Sequence, residues 1–280
     1  MSLFFYPDQC DYGGSPETSG FDFENLEISV KDEITLNAWL VRSKNDKPKA
    51  TIIYFHGNAA NMTNHWSFVD WIPENGFDLL CFDYRGYGKS TGKPSFEGVL
   101  EDCCKIIDFA RTDPKVRNKK FIIFGQSLGG AFSILATAKK LDQDILGMVL
   151  DSTFNSFQEI ASLKVPSFLK VLPKFLITKK YNPEEEIYKL KMPKLFIHSR
   201  KDPVVPYKLG EKLYKSAPEK RTFITVKPAE GLMGLTPMHM PLFSTQRDSN
   251  EYQEVISFLD GLIENRDHQD VKETPDDKKL

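Results

Sequence analysis

No apolar run in these 280 residues approaches the length needed to cross a bilayer. The run Leu3-Phe4-Phe5-Tyr6 is too short for a signal peptide and lacks a basic flank. Cysteine is scarce, with four residues: Cys10, Cys81, Cys103 and Cys104. Their spacing offers neither a metal-ligand set nor a disulfide framework, so they read as reduced thiols in a cytoplasmic protein. The sequence is silent on any anchor upstream of residue 1. No HExxH is present, which argues against a zinc hydrolase. Charge of one sign is not in excess: the formal net charge is −2, and nucleic acid is not expected as a partner. Nothing in the pattern supports contact with a membrane surface; the lysines between residues 153 and 190 read better as a solvated helix face.

What is present is a repeated change of period. Leu26, Ile28 and Val30 alternate, and after Lys31-Asp32-Glu33 so do Ile34, Leu36, Ala38 and Leu40. This predicts an antiparallel hairpin at a sheet edge. Six continuous apolar runs follow, as buried parallel strands require: 51–55, 77–82, 121–124, 145–150, 195–197 and 222–226. Helical stripes lie between them, including Phe96, Val99, Leu100, Cys103, Ile107 and Ala110 behind Ser95 as N-cap. The expected fold is therefore α/β, with a mostly parallel eight-stranded sheet and helices on both faces. Residues 1–24 read as an extension and 25–265 as the domain. Residues 153–190, with Leu163, Val165, Phe168 and Phe175 among lysines, read as a small helical cap insertion. Residues 266–280, charged and aperiodic, read as a disordered tail.

The strongest local signal is Phe121-Ile122-Ile123-Phe124 running into Gly125-Gln126-Ser127-Leu128-Gly129. A strand, a Gly-x-Ser-x-Gly turn and a helix in that order form a nucleophile elbow, with Ser127 projecting at the carboxyl end of the sheet. The second glycine-bearing string, Gly86-Tyr87-Gly88-Lys89-Ser90, fails as a phosphate loop because Asp83 stands where its first glycine belongs. An acyl-transfer site needs two N–H donors for the oxyanion. Leu128, after the nucleophile, is one. The other comes from the loop His56-Gly57-Asn58-Ala59-Ala60-Asn61, with Asn58 preferred and Ala59 the alternative; the His56 ring itself reads as structural.

In this arrangement the acid and then the base follow the nucleophile along the chain. Asp202 lies just past the run 195–197, and Asp151, at the end of 145–150, is its competitor. Of five histidines, His56 and His65 precede Ser127, His198 ends a strand and His268 lies in the charged tail. His239 alone falls between the last strand and the last helix, and is the expected base.

These pieces resemble the α/β-hydrolase superfamily, in particular its alpha/beta hydrolase domain-containing serine hydrolases, and are similar to the prolyl-oligopeptidase-like and serine aminopeptidase-like domains. The resemblance rests on HGNAAN (56–61), DYRGYGKSTG (83–92), GQSLGG (125–130), LDSTFNS (150–156) and SRKDPVVP (199–206), in that order. It implies a Ser127–His239–Asp202 triad that cleaves an ester or thioester of a small or acylated substrate without a cofactor. A peptidase, or a binding protein that has kept the fold without its chemistry, is the alternative. The resemblance also implies a shorter connection to the base than the methionine-rich stretch Gly231–Met240. That stretch and the cap are apolar enough to predict a preference for apolar acyl chains.

Overall fold

The computed structural model describes residues 4–31, 33–140, 144–163, 165–166, 177, 181–228 and 239–273, the last seven as backbone. Eight strands form one sheet: β2 (Phe23–Lys31), β3 (Ile34–Val41), β4 (Thr51–Phe55), β6 (Asp78–Phe82), β7 (Phe121–Gln126), β8 (Ile145–Asp151), β9 (Lys194–Ser199) and β10 (Arg221–Val226). Two short strands, β1 (Tyr6–Pro7) and β5 (Ala59–Ala60), pair with each other outside it. The order in the large sheet is β10-β9-β8-β7-β4-β6-β3-β2. The β2–β3 and β3–β6 pairs are antiparallel and all others parallel. The edge hairpin and the parallel body are those the alternating and continuous apolar runs predict.

Strand β4 illustrates why the runs are continuous. Ile53 and Phe55 face one apolar layer, with Val99, Ile107, Phe132 and Leu135 from the helices Phe96–Thr112 and Leu128–Lys140. Ile52 and Tyr54 face the other, with Trp66, Trp71, Val255 and Leu259. Successive side chains alternate faces, so a strand covered on both sides has no polar position to spare. Ser95 caps its helix as expected, accepting from Gly98 N–H at 3.1 Å.

Three boundaries differ from the sequence pattern. The amino-terminal segment is not a bare extension: Phe4 and Phe5 are buried against Phe96, Phe132 and Phe157, and β2 already begins at Phe23 opposite Val41. The final helix runs Asn250–Glu273, into the residues read as a tail. The apolar stripe ends near Ile263, and the segment after it mixes good helix formers (Glu264, Arg266, Gln269, Lys272, Glu273) with poorer ones (Asn265, Asp267, His268, Asp270), so neither periodicity nor propensity marks where the helix stops. Of the cap, the structure describes the helices Phe157–Ser162 and Pro183–Ile187. Phe168 and Phe175, and Gly231–Met238 of the methionine-rich loop, lie outside the described residues. Among the described residues no helix is long and apolar enough to cross a membrane.

The strand order positions the site. From β4 the chain lays β6 on one side, then crosses to β7 on the other and continues outward. The reversal between β4 and β7 opens a crevice at the carboxyl ends of these strands, where ligands of open α/β sheets bind.

Candidate active site

Ser127 sits at this crevice, between β7 and the helix Leu128–Lys140. Its φ is 51°, in the left-handed region that non-glycine residues avoid. The turn is tight enough to exclude side chains around it: a Cβ at Gly129 would lie 2.1 Å from the Phe55 carbonyl oxygen, and one at Gly125 would lie 2.6 Å from Gly130 Cα. The strained turn is braced from β8. Ser127 N–H donates to the Asp151 carbonyl at 2.9 Å, and the Thr153 hydroxyl donates to the Ser127 carbonyl at 2.7 Å. Ser152 between them is itself left-handed, with φ 51°. The LDSTFNS string is thus the scaffold of the elbow.

Asp202 and His239 meet. His239 Nδ1 donates to Asp202 Oδ2 at 2.7 Å. The other carboxylate oxygen accepts the N–H groups of Val204 and Val205 at 2.9 and 2.8 Å. Burial pushes the Asp202 carboxyl up, but the His239 hydrogen bond and charge and the two backbone donors outweigh it and hold it below the usual range. A carboxylate only accepts, so Nδ1 carries the proton and Nε2 keeps its lone pair. That Nε2 is buried and has no hydrogen-bond partner among the described residues. Ser127 Oγ likewise makes no hydrogen bond to a described residue, His239 included.

The competing groups are engaged elsewhere. Asp151 accepts from Gln126 Nε2 at 2.8 Å and from the Ser152 hydroxyl at 3.0 Å. Burial, opposed by the Gln126 hydrogen bond, raises its carboxyl to about 6. His198 Nε2 donates to the Val205 carbonyl at 2.8 Å, a structural bond within the Asp202 loop. His56 Nδ1 donates to the Gly57 carbonyl at 2.8 Å, and its ring packs on Tyr84. The side chain of His268 lies outside the described residues.

Leu128 N–H heads its helix, whose N-terminal end carries partial positive charge. Asn58 lies in the loop after β4, next to Gly57, where an added Cβ would stand 3.8 Å from Ser127 Cβ. No described residue accepts a backbone hydrogen bond from either N–H.

One buried group escaped the sequence reading. The Tyr54 hydroxyl donates to Gln126 Oε1 and stands 3.5 Å from His65 Nδ1, while His65 Nε2 donates to the Ala59 carbonyl at 2.8 Å. Burial drops the His65 imidazole to about 4, so it is neutral near pH 7. The signal that was available is Gln126, a polar residue ending a strand otherwise apolar.

Known proteins share this architecture. The family described as serine aminopeptidase, S33, matches residues 46–187. The protein YfhR of Escherichia coli O157:H7 is 36% identical over 264 residues, covering 92% of this chain and 87% of its own length. The lysophosphatidylserine lipase ABHD12 of Macaca fascicularis is 26% identical over 240 residues, covering 74% of this chain and 60% of its own length. Among solved structures, the Pyrococcus furiosus esterase Pf2001 superposes with a TM-score of 0.70 at 19% identity, over 92% of this chain and 99% of that one. The chain belongs to the serine aminopeptidase S33 family and is an α/β-hydrolase.

Proposed function

We propose that this hydrolase cleaves carboxylic esters or thioesters through an acyl-enzyme on Ser127. The observation that carries the reading is the Asp202–His239 hydrogen bond, which leaves the basic Nε2 without a competing partner among the described residues. His239 Nε2 takes the proton of Ser127 Oγ as Oγ bonds to the substrate carbonyl carbon. The carbonyl electron pair moves onto oxygen, where the N–H groups of Leu128 and Asn58 receive it. As the intermediate collapses, the bond to the leaving group breaks and His239 returns the proton to it. Water then repeats the sequence, with His239 as its base, and frees the acid and Ser127. Asp202 stays ionised throughout and stabilises the imidazolium. No step calls for a cofactor.

The names of ABHD12 and Pf2001 support an ester substrate, and the family's name supports a peptide one. Four free thiols favour a cytoplasmic setting. The test is a panel of p-nitrophenyl acetate, butyrate, octanoate and palmitate, a matched acyl thioester, and aminoacyl p-nitroanilides. Turnover of the esters with anilides at background is expected. Preferential turnover of the anilides would replace this reading with a peptidase. An apolar acyl chain is the expected preference, each buried methylene contributing about 0.8 kcal/mol.

A further inference from the structure

The loop 56–61 reaches the crevice from the end of β4, and the large sheet does not hold it. Its only strand, β5, pairs with β1 of the amino-terminal segment, in register Tyr6 to Ala59 and Pro7 to Ala60. Ala60 is held at φ 62°, a conformation an alanine keeps only when its surroundings impose it. Further along, the Asn61 side-chain amide donates to the carbonyls of Asp8 and Cys10 at 3.1 and 2.8 Å. Gly88 N–H donates to the Asp8 carbonyl at 2.9 Å. Tyr12 N–H donates to the Thr63 hydroxyl at 3.0 Å.

Asn58 is tied by its side chain. Its Oδ1 accepts Tyr6 N–H at 3.1 Å and the Tyr87 hydroxyl at 3.2 Å. Tyr6 N–H also faces the hydroxyl of Tyr87, so the three groups close on one another. The Asn58 N–H belongs to the same residue, four bonds from the tethered Oδ1, so the two bonds limit how that residue, and its N–H with it, can turn. The same arm also packs on the helix that carries the opposite donor. Phe5 rests on Phe132 at 5.9 Å between ring centres, and Phe132 belongs to the helix that Leu128 heads. One segment therefore braces both sides of the gap into which an oxyanion would fit.

We propose that the arm Phe4–Tyr12 is a positioning element of the oxyanion site, acting through the hydrogen bonds of Tyr6 N–H and Tyr87 to Asn58. The inference rests on the serine-hydrolase reading. It follows from the narrow tolerance of such donors, which act only when held about 2.7–3.1 Å from the developing charge.

The substitution Tyr6→Pro removes the N–H. Its kcat on p-nitrophenyl butyrate is expected to fall roughly tenfold to a hundredfold, as misplaced catalytic groups do. KM should move less than about threefold, because the lost interaction belongs to the transition state. The second-order rate of labelling by a fluorophosphonate should fall with kcat. Asn58→Ala should lose at least a similar factor, and the double variant should be no worse than the poorer single one, since Asn58→Ala already removes the bond that Tyr6→Pro removes. Tyr6→Ala keeps the N–H and should retain most of the rate. Tyr87→Phe removes the second donor and should lower kcat several-fold, which covers the case in which Tyr6→Pro does not fold. The inference is overturned by wild-type kcat in folded Tyr6→Pro or Tyr87→Phe, by additive losses in the double variant, or by a loss in Tyr6→Ala equal to that in Tyr6→Pro. A wild-type protein that neither labels nor turns over an ester would instead overturn the reading beneath it.

Discussion

Two carboxyl groups stand at the carboxyl ends of neighbouring strands, in unlike surroundings. Asp151 ends β8 and is sealed in, with one amide and one hydroxyl as its side-chain donors. Asp202 lies in the loop after β9 and receives an imidazole N–H and two backbone N–H groups. Burial raises both. At Asp151 it prevails, at about 6; at Asp202 the donors prevail and the group is held low. Burial alone does not set where each carboxyl ends. The number and charge of the donors do, because each N–H aimed at the ionised form offsets part of the cost of desolvating it.

The comparison breaks most visibly at the substitutions Asp202→Asn and Asp151→Asn. The first should lower kcat by about four orders of magnitude, because an amide no longer fixes the imidazole tautomer. The second should cost less than about tenfold, since Gln126 and Ser152 can hydrogen-bond an amide of the same shape. Steady-state kinetics on one p-nitrophenyl ester decide the matter. Equal losses would mean that Asp151 is an orienting acid too.

A smaller effect sharpens the same contrast through stability. A carboxyl at about 6 in the folded chain and near 3.9 unfolded binds more protons when folded between roughly pH 4 and 6. Its contribution to stability is therefore present at low pH and lost as pH rises through that window. Asp83, pushed by burial to about 7, acts in the same direction but is unchanged by a substitution at 151. Asp151→Asn should thus gain in Tm relative to wild type as pH goes from 4.5 to 7.5, by several degrees in a thermal scan. A gain that shrinks with pH would contradict the assignment.

How much of this was legible in the chain follows from where each group's partners lie. The elbow could be read because its strand, turn and helix are contiguous and its glycines are forced by contact with Phe55 and Gly130. Asp202 and His239 could be ordered because each follows a recognisable apolar strand. The Tyr54–Gln126–Asp151 chain could not, since it joins β4, β7 and β8, which are neighbours in space only. Phe4 and Phe5 read as an isolated apolar scrap for the same reason: the aromatic pocket that takes them is assembled from residues 96, 132 and 157. The last turns of the final helix were missed because they carry no apolar stripe, the feature by which helices are read.

The central claim is that Ser127 is the nucleophile, and labelling tests it most directly. The purified chain is treated with a fluorophosphonate, digested, and the adduct located by tandem mass spectrometry, with p-nitrophenyl butyrate turnover followed in parallel. The account predicts one adduct, on Ser127, rising as turnover disappears, and neither adduct nor turnover in Ser127→Ala. An adduct on another residue, or a folded Ser127→Ala protein that still hydrolyses the ester, would contradict it.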